Sequence, residues 1–147
     1  MRIKLNIIKK NVEGKRVILV DDSIVRGTTS KQLVAMLRRA GAKEVHFRVC
    51  SPPVSYPCHF GIDTPSRDQL IGAKYSVDEI CEMLGADSLA YLSIDGMLKA
   101  TGTSPNKFCK ACFDGDYPME VPLEGSKFAM ETNTNNTISH EEKKSDL

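Results

Sequence analysis

The sequence has no long apolar run. The longest uninterrupted stretch of apolar residues is five, Leu33 to Leu37, far short of the roughly 20 that a membrane-spanning helix needs. The N-terminal MRIKLNIIKK contains no apolar block of signal-peptide length. Neither charge is in real excess: 20 Lys and Arg stand against 19 Asp and Glu, a net of +1. That balance argues against the basic surface of a general nucleic-acid or membrane-surface binder. Two common nucleotide signatures are missing, the GxxxxGK[ST] phosphate loop and the GxGxxG dinucleotide fingerprint. No cysteine precedes position 50, and the five that follow (Cys50, Cys58, Cys81, Cys109, Cys112) are odd in number. Without an export signal, an odd count favours metal ligation or plain burial over a disulfide framework. These absences predict a cytoplasmic protein with no nucleic-acid and no membrane partner.

What is present reads as one α/β domain. The chain has 147 residues, 41% apolar and 27% charged, enough for a real core. Ile3, Leu5 and Ile7 alternate with polar residues, the period of a half-buried strand, and Asn11 to Gly14 reads as a turn. Arg16 to Val20 (RVILV) is a short β-branched run, expected to be a strand buried on both faces. A helix should follow, with Thr29 as N-cap, Gln32 completing a capping box, an apolar stripe through Leu33, Val34, Met36, Leu37 and Ala40, and Gly41 as its stop. Glu44 to Cys50 reads as the next strand, so that strand, helix and strand form a βαβ unit in a parallel sheet. Residues 51 to 75, broken by Pro52, Pro53, Pro57 and Pro65, form a long connection of the kind that often carries function. Ser76 with Glu79 should open a helix over Val77 to Leu84. Ser88 to Leu92 reads as a strand, and Ser93 caps a short helix over Ile94 to Ala100. From Glu131 onward the apolar content is too low for a packed segment, so 131–147 is expected to be a disordered tail.

Chemistry concentrates in VILVDDSIVRGTTS, from Val17 to Ser30. Open α/β sheets bind ligands at the carboxyl ends of their strands. There Asp21 and Asp22 stand side by side, followed by Ser23, Gly27, Thr28 and Thr29 and then a helix. A helix N-terminus offers backbone N–H groups and partial positive charge to an anion. Glycine lets the backbone approach closely, and the hydroxyls add donors. Two adjacent carboxylates repel a bare phosphate, but they accept hydrogen bonds from a diol or help to hold a divalent cation. A phosphate cradle beside a diol clamp suits a ribose 5-phosphate. The plainer alternative is a solvated turn feeding a capped helix.

The same stretch resembles the phosphoribosyl pyrophosphate (PRPP) motif of type I phosphoribosyltransferases. A longer resemblance, over roughly residues 2–122, is to the glutamine PRPP amidotransferases. It runs through VEGKRVILVDDSIVRGTTS, MLRRAGAKEVHFRVCSPP, YPCHFGIDTPSRDQLI, SVDEICEMLGADSLAYLSIDGM and FCKACFDGDYP. It implies the C-terminal part of a type I phosphoribosyltransferase domain over 1–102, a cysteine-bearing segment over 103–130, and the tail over 131–147. It implies that ammonia, delivered by a glutaminase domain not found in this sequence, displaces pyrophosphate from PRPP and forms 5-phosphoribosylamine, the first step of purine synthesis. By motif position, Asp21 and Asp22 bind the ribose hydroxyls and Mg²⁺, and Ser23, Ile24, Val25, Arg26, Gly27, Thr28 and Thr29 wrap the 5′-phosphate. No general base is assigned. Purine nucleotides as feedback inhibitors and a homo-oligomer are further implications, and the stretch alone is expected to be inactive. A nucleobase-using phosphoribosyltransferase and a non-catalytic PRPP-binding module are the alternatives.

Cys109 and Cys112 form a C-x-x-C, a spacing shared by zinc, iron–sulfur and redox sites. One subgroup of the amidotransferases is similar at YPC-x-x-GID and at C-x-x-C-F. Through that likeness Cys58, Cys109 and Cys112 are three ligands of a [4Fe–4S] cluster whose fourth ligand lies outside this sequence. Cys50 and Cys81 are expected in the core. His46, His59 and His140 are assigned no role.

Overall fold

The computed structural model describes residues 6–104 and 107–121. The expected strand residues Ile3 and Leu5, the stretch 122–130 and the expected disordered tail 131–147 lie outside the described residues. Three strands, β1 (Arg16–Asp21), β2 (Glu44–Val49) and β3 (Ser88–Tyr91), form a sheet in the order β1-β2-β3. Both pairings are parallel, with Val17 opposite Val45, Asp21 opposite Val49, and Val49 opposite Tyr91. Five helices accompany them: α1 (Lys9–Val12), α2 (Thr28–Arg39), α3 (Val77–Leu84), α4 (Ile94–Ala100) and α5 (Ala111–Asp114).

Alternation along β2 decides where the core lies. Val45, Phe47 and Val49 are buried, while Glu44, His46 and Arg48 point to the other face. The buried set meets Val34 and Leu37 of α2 and Ile80 and Leu84 of α3 in one apolar cluster. Both helices therefore cover the same face of the sheet. Phe47, with 0% of its surface exposed, sits at the centre; full burial of such a side chain contributes about 1.5–3 kcal/mol. At the base, Asp87 Oδ2 accepts from the Val45 N–H and from Arg38 Nη2, both at 2.6 Å, tying α2 to two strands. These donors hold the Asp87 carboxyl below its usual range.

Local signals set α3 and α4 as expected. Ser76 Oγ accepts from the Glu79 N–H while the Glu79 carboxylate accepts from the Ser76 N–H, a complete capping box, and Ser93 Oγ accepts from the Gly96 N–H. Four expectations are corrected. Asn11 belongs to the one-turn helix α1, and the chain turns only after Val12. α2 begins two residues early, at Thr28: Gly27, at φ 73°, occupies the cap position and makes no side-chain cap bond. β1 is buried on one side only, because Ile18 and Val20 are 67% and 61% exposed on the face opposite the helices. Cys50 is exposed rather than core, since β2 ends at Val49 and alternation carries the next side chain to the open face.

Candidate functional site

The loop from Asp21 to Gly27 leaves the carboxyl end of β1 and runs straight into α2. Its shape is set by the core beneath it. Ile24 is 2% exposed and anchors the loop in the apolar cluster, so it can serve a ligand only through its backbone. The Val25 carbonyl accepts from the Ile71 N–H at 3.0 Å. Gly27 is required twice over. Its φ of 73° is in the left-handed region, and a Cβ there would lie 2.8 Å from the Ile71 Cδ1.

The two carboxylates are prepared on one side each. Asp21 Oδ1 accepts from the Asp22 N–H at 3.1 Å, and Asp22 Oδ1 accepts from the Ser23 hydroxyl at 2.9 Å. Among the described residues no group of three His, Cys, Asp or Glu side chains is placed to hold a metal. The donor set nevertheless suits Mg²⁺, which binds through one or two carboxylates and fills its shell with water and substrate oxygens. Asp21 also stands in one cross-strand row with Val49 and Tyr91. The Tyr91 hydroxyl is buried without a partner among the described residues, and burial pushes its pKa up to about 12.

Beside the loop, a cavity of about 280 Å³ is walled by Arg26, Thr28, Lys31 and Gln32 and floored by Ile71 and Leu84. Arg26 Nε donates to Gln69 Oε1 at 3.0 Å. Lys31 and Gln32 were not foreseen as site residues. Their spacing from Thr28, three and four positions along a helix, was the available signal.

The cysteine trio is divided between two segments that pack on each other. Ser55 and Tyr56 donate their N–H groups to the Cys112 carbonyl, both at 3.0 Å, and the Tyr117 hydroxyl donates to the Pro57 carbonyl at 2.7 Å. His59 stands edge-on to Tyr117, at 5.1 Å between ring centroids. The Cys58 N–H is held by Thr64 Oγ1 at 2.6 Å. Cys58 and Cys112 are half-buried, while Cys109 is exposed. Burial pushes the Cys112 thiol up, and the neighbouring Cys58 and Cys109 push it further. Among the described residues the three thiols do not form a group placed to hold a metal ion. Cys81 is half-buried on α3 rather than in the core, with its Sγ 3.4 Å from the Ala86 carbonyl.

No helix among the described residues is long and apolar enough to cross a membrane. No family model matches the chain. Among curated proteins, the amidophosphoribosyltransferase of Synechococcus elongatus is 56% identical over 136 residues, which are 91% of this chain and 28% of that protein. The amidophosphoribosyltransferase of Bacillus subtilis is 50% identical over 125 residues, 82% of this chain and 26% of its own length. Among solved structures, a glutamine PRPP amidotransferase from B. subtilis complexed with ADP and GMP is similar with a TM-score of 0.74 at 50% identity, covering 81% of this chain and 27% of that one. A structure described as the allosteric regulatory enzyme of purine biosynthesis is similar at the same TM-score, 0.74, with 51% identity, and covers 80% of this chain and 26% of its own. The chain thus spans 28% or less of the length of these relatives. By sequence and by fold, it corresponds to one stretch of the amidophosphoribosyltransferases, with the α/β architecture of their type I phosphoribosyltransferase domain.

Proposed function

We propose that this chain supplies the PRPP-binding part of an amidophosphoribosyltransferase, which joins ammonia to the ribose of PRPP in the first step of purine synthesis. The observation that carries this reading is the contiguous stretch from Asp21 to Thr29, which places two carboxylates at the end of a parallel strand and runs through Gly27 into the start of α2. In the reaction the ammonia nitrogen forms a bond to C1 of the ribose, the C1–oxygen bond to pyrophosphate breaks, and one proton passes to solvent. The residues of this chain bind and orient. Asp21 and Asp22 accept hydrogen bonds from the ribose hydroxyls, and the backbone from Ser23 to Thr29 donates to the 5′-phosphate. Holding the sugar in one orientation removes much of the entropic part of the barrier. Mg²⁺, held through Asp21 and Asp22, would supply charge to the departing pyrophosphate.

We assign Cys58, Cys109 and Cys112 to a [4Fe–4S] cluster with a fourth ligand outside this chain. The electronic needs of the reaction give the cluster no part in it, so its role is structural or oxygen-sensing. Free thiols and such a cluster suit a reducing, cytoplasmic setting. Ammonia from a glutaminase domain, purine nucleotides as feedback inhibitors and a homo-oligomeric assembly complete the proposal.

The test is a B. subtilis enzyme whose matched stretch is replaced by this chain. Formation of phosphoribosylamine from PRPP and ammonia is expected. A soluble, folded chimera that makes none would remove the reading.

A further inference from the structure

The backbone of the loop between β1 and α2 is pinned from the core side. Ile24 is buried in the apolar cluster, the Val25 carbonyl accepts from the Ile71 N–H at 3.0 Å, and Gly27 lies against Ile71. None of these contacts fixes the side chain of Arg26, which is exposed. A free arginine turns about several bonds, and a ligand that uses it must order it on binding. Arg26 is held instead by a residue 43 positions away: its Nε donates to Gln69 Oε1 at 3.0 Å. Gln69 closes a 3₁₀ turn, Arg67–Gln69, and a second turn, Ile71–Ala73, follows after Leu70. That support is firm. The Gln69 N–H donates to the Ser66 carbonyl at 2.9 Å, Leu70 is fully buried, and the Arg67 guanidinium lies 4.6 Å from the centre of the Tyr56 ring. The next residue but one, Ile71, is already bonded to the loop, so the Gln69 amide stands at a set distance from it. Held this way, Arg26 lines the cavity beside the loop with Thr28 and Lys31, and its charge sits at the start of α2, where an anion is favoured.

We infer that Gln69 is a positioning residue for the sugar phosphate: its amide oxygen presets the Arg26 guanidinium, so that the phosphate meets a cation already in place. The inference rests on the proposed function for the identity of the ligand. It goes beyond it in bringing a residue of the long connection, outside the β1–α2 loop, into the binding machinery. A purely structural staple is the rival role for the same bond, and the geometry speaks against it. Gln69 and Arg26 are both exposed, and one hydrogen bond between exposed side chains adds little to global stability. The loop and the connection are already stapled by the Val25–Ile71 bond and by the packing of Ile71 on Gly27. What the Gln69 bond adds is the orientation of one charged group.

The experiment is a double-mutant cycle in the B. subtilis chimera: native sequence, Gln69→Leu, Arg26→Ala and the two together, each titrated with PRPP in the presence of Mg²⁺. Gln69→Leu should weaken PRPP binding by roughly three- to tenfold, the effect of leaving one long side chain to be ordered by the ligand. In ammonia-dependent synthesis the loss should fall on KM, with kcat at saturating PRPP unchanged, because the contact is made equally before and during reaction. The thermal midpoint should not move. In the Arg26→Ala background the same substitution should add no further loss, since the residue through which Gln69 acts is gone. Gln69→Glu, which keeps an oxygen acceptor at the same reach, should recover most of the affinity. Native affinity in Gln69→Leu overturns the inference. So does a loss that persists in the Arg26→Ala background, a loss that falls on kcat, a failure of Gln69→Glu to recover binding, or a fall in thermal midpoint that would make the bond a staple. If the native chimera itself binds no PRPP, the proposed function falls and this inference with it; if it binds and Gln69→Leu binds equally, only the inference falls.

Discussion

The two candidate sites are built on different supports. The loop after β1 rests on the apolar core: Ile24 is sunk into it, Gly27 is pressed against Ile71, and α2 follows at once. The cysteine-bearing segments rest on each other through a few backbone and side-chain hydrogen bonds at half-buried positions. The difference is one of preorganisation. The first site is fixed by the same interactions that fold the domain, so it stands ready before its ligand arrives. The second has three thiols on two segments, and it gains most from whatever binds them.

The largest test of that contrast is Ile24→Ala. Removing a side chain 2% exposed from the core should cost about 2–5 kcal/mol in global stability, read by denaturant unfolding. A cost near that of a surface change would show that the loop is not core-supported. Next is Gly27→Val, which must adopt a positive φ and displace Ile71. A loss of about 1–3 kcal/mol is expected, together with weakened PRPP binding in the chimera. On the other side of the comparison, Tyr117→Phe removes one hydrogen bond to the Pro57 carbonyl. It should cost about 1 kcal/mol and raise hydrogen exchange around residues 55–60 while leaving the sheet unchanged. The smallest effect is a pH dependence. The Cys112 thiol is raised above its ordinary value of 9.0 by burial and by Cys58. Its contribution to stability is therefore complete below about pH 9 and is lost as pH rises through the higher folded value. Thermal unfolding followed from pH 8 to about pH 10.5 should fall more steeply for the native chain than for Cys112→Ser, and Cys112 should be alkylated more slowly than the exposed Cys109.

Much of this architecture was legible in the sequence because its signals are local. The alternation of Val45, Phe47 and Val49, the Ser76–Glu79 capping box and the Ser93 cap each lie within a few residues of what they determine. The position of the loop between β1 and α2 followed from the abrupt change at Asp21. What escaped depends on distant neighbours. Gly27 takes the cap position in place of Thr29 because Ile71, brought in by the long connection, packs against it. The run RVILV looks the same whether one face is covered or two, and Ile18 and Val20 are open because nothing among the described residues lies over them. Cys50 was misplaced by composition, which cannot distinguish the last buried residue of a strand from the next one out.

The account stands on the grip of the β1–α2 loop on an activated sugar phosphate, and calorimetric titration of the chimera with PRPP and Mg²⁺ tests it most directly. Native sequence should bind, and Asp21→Asn with Asp22→Asn should lower the affinity by about 100-fold or more, the loss of two charge-assisted contacts, with the circular dichroism unchanged. Equal affinity in the two proteins would contradict the assignment.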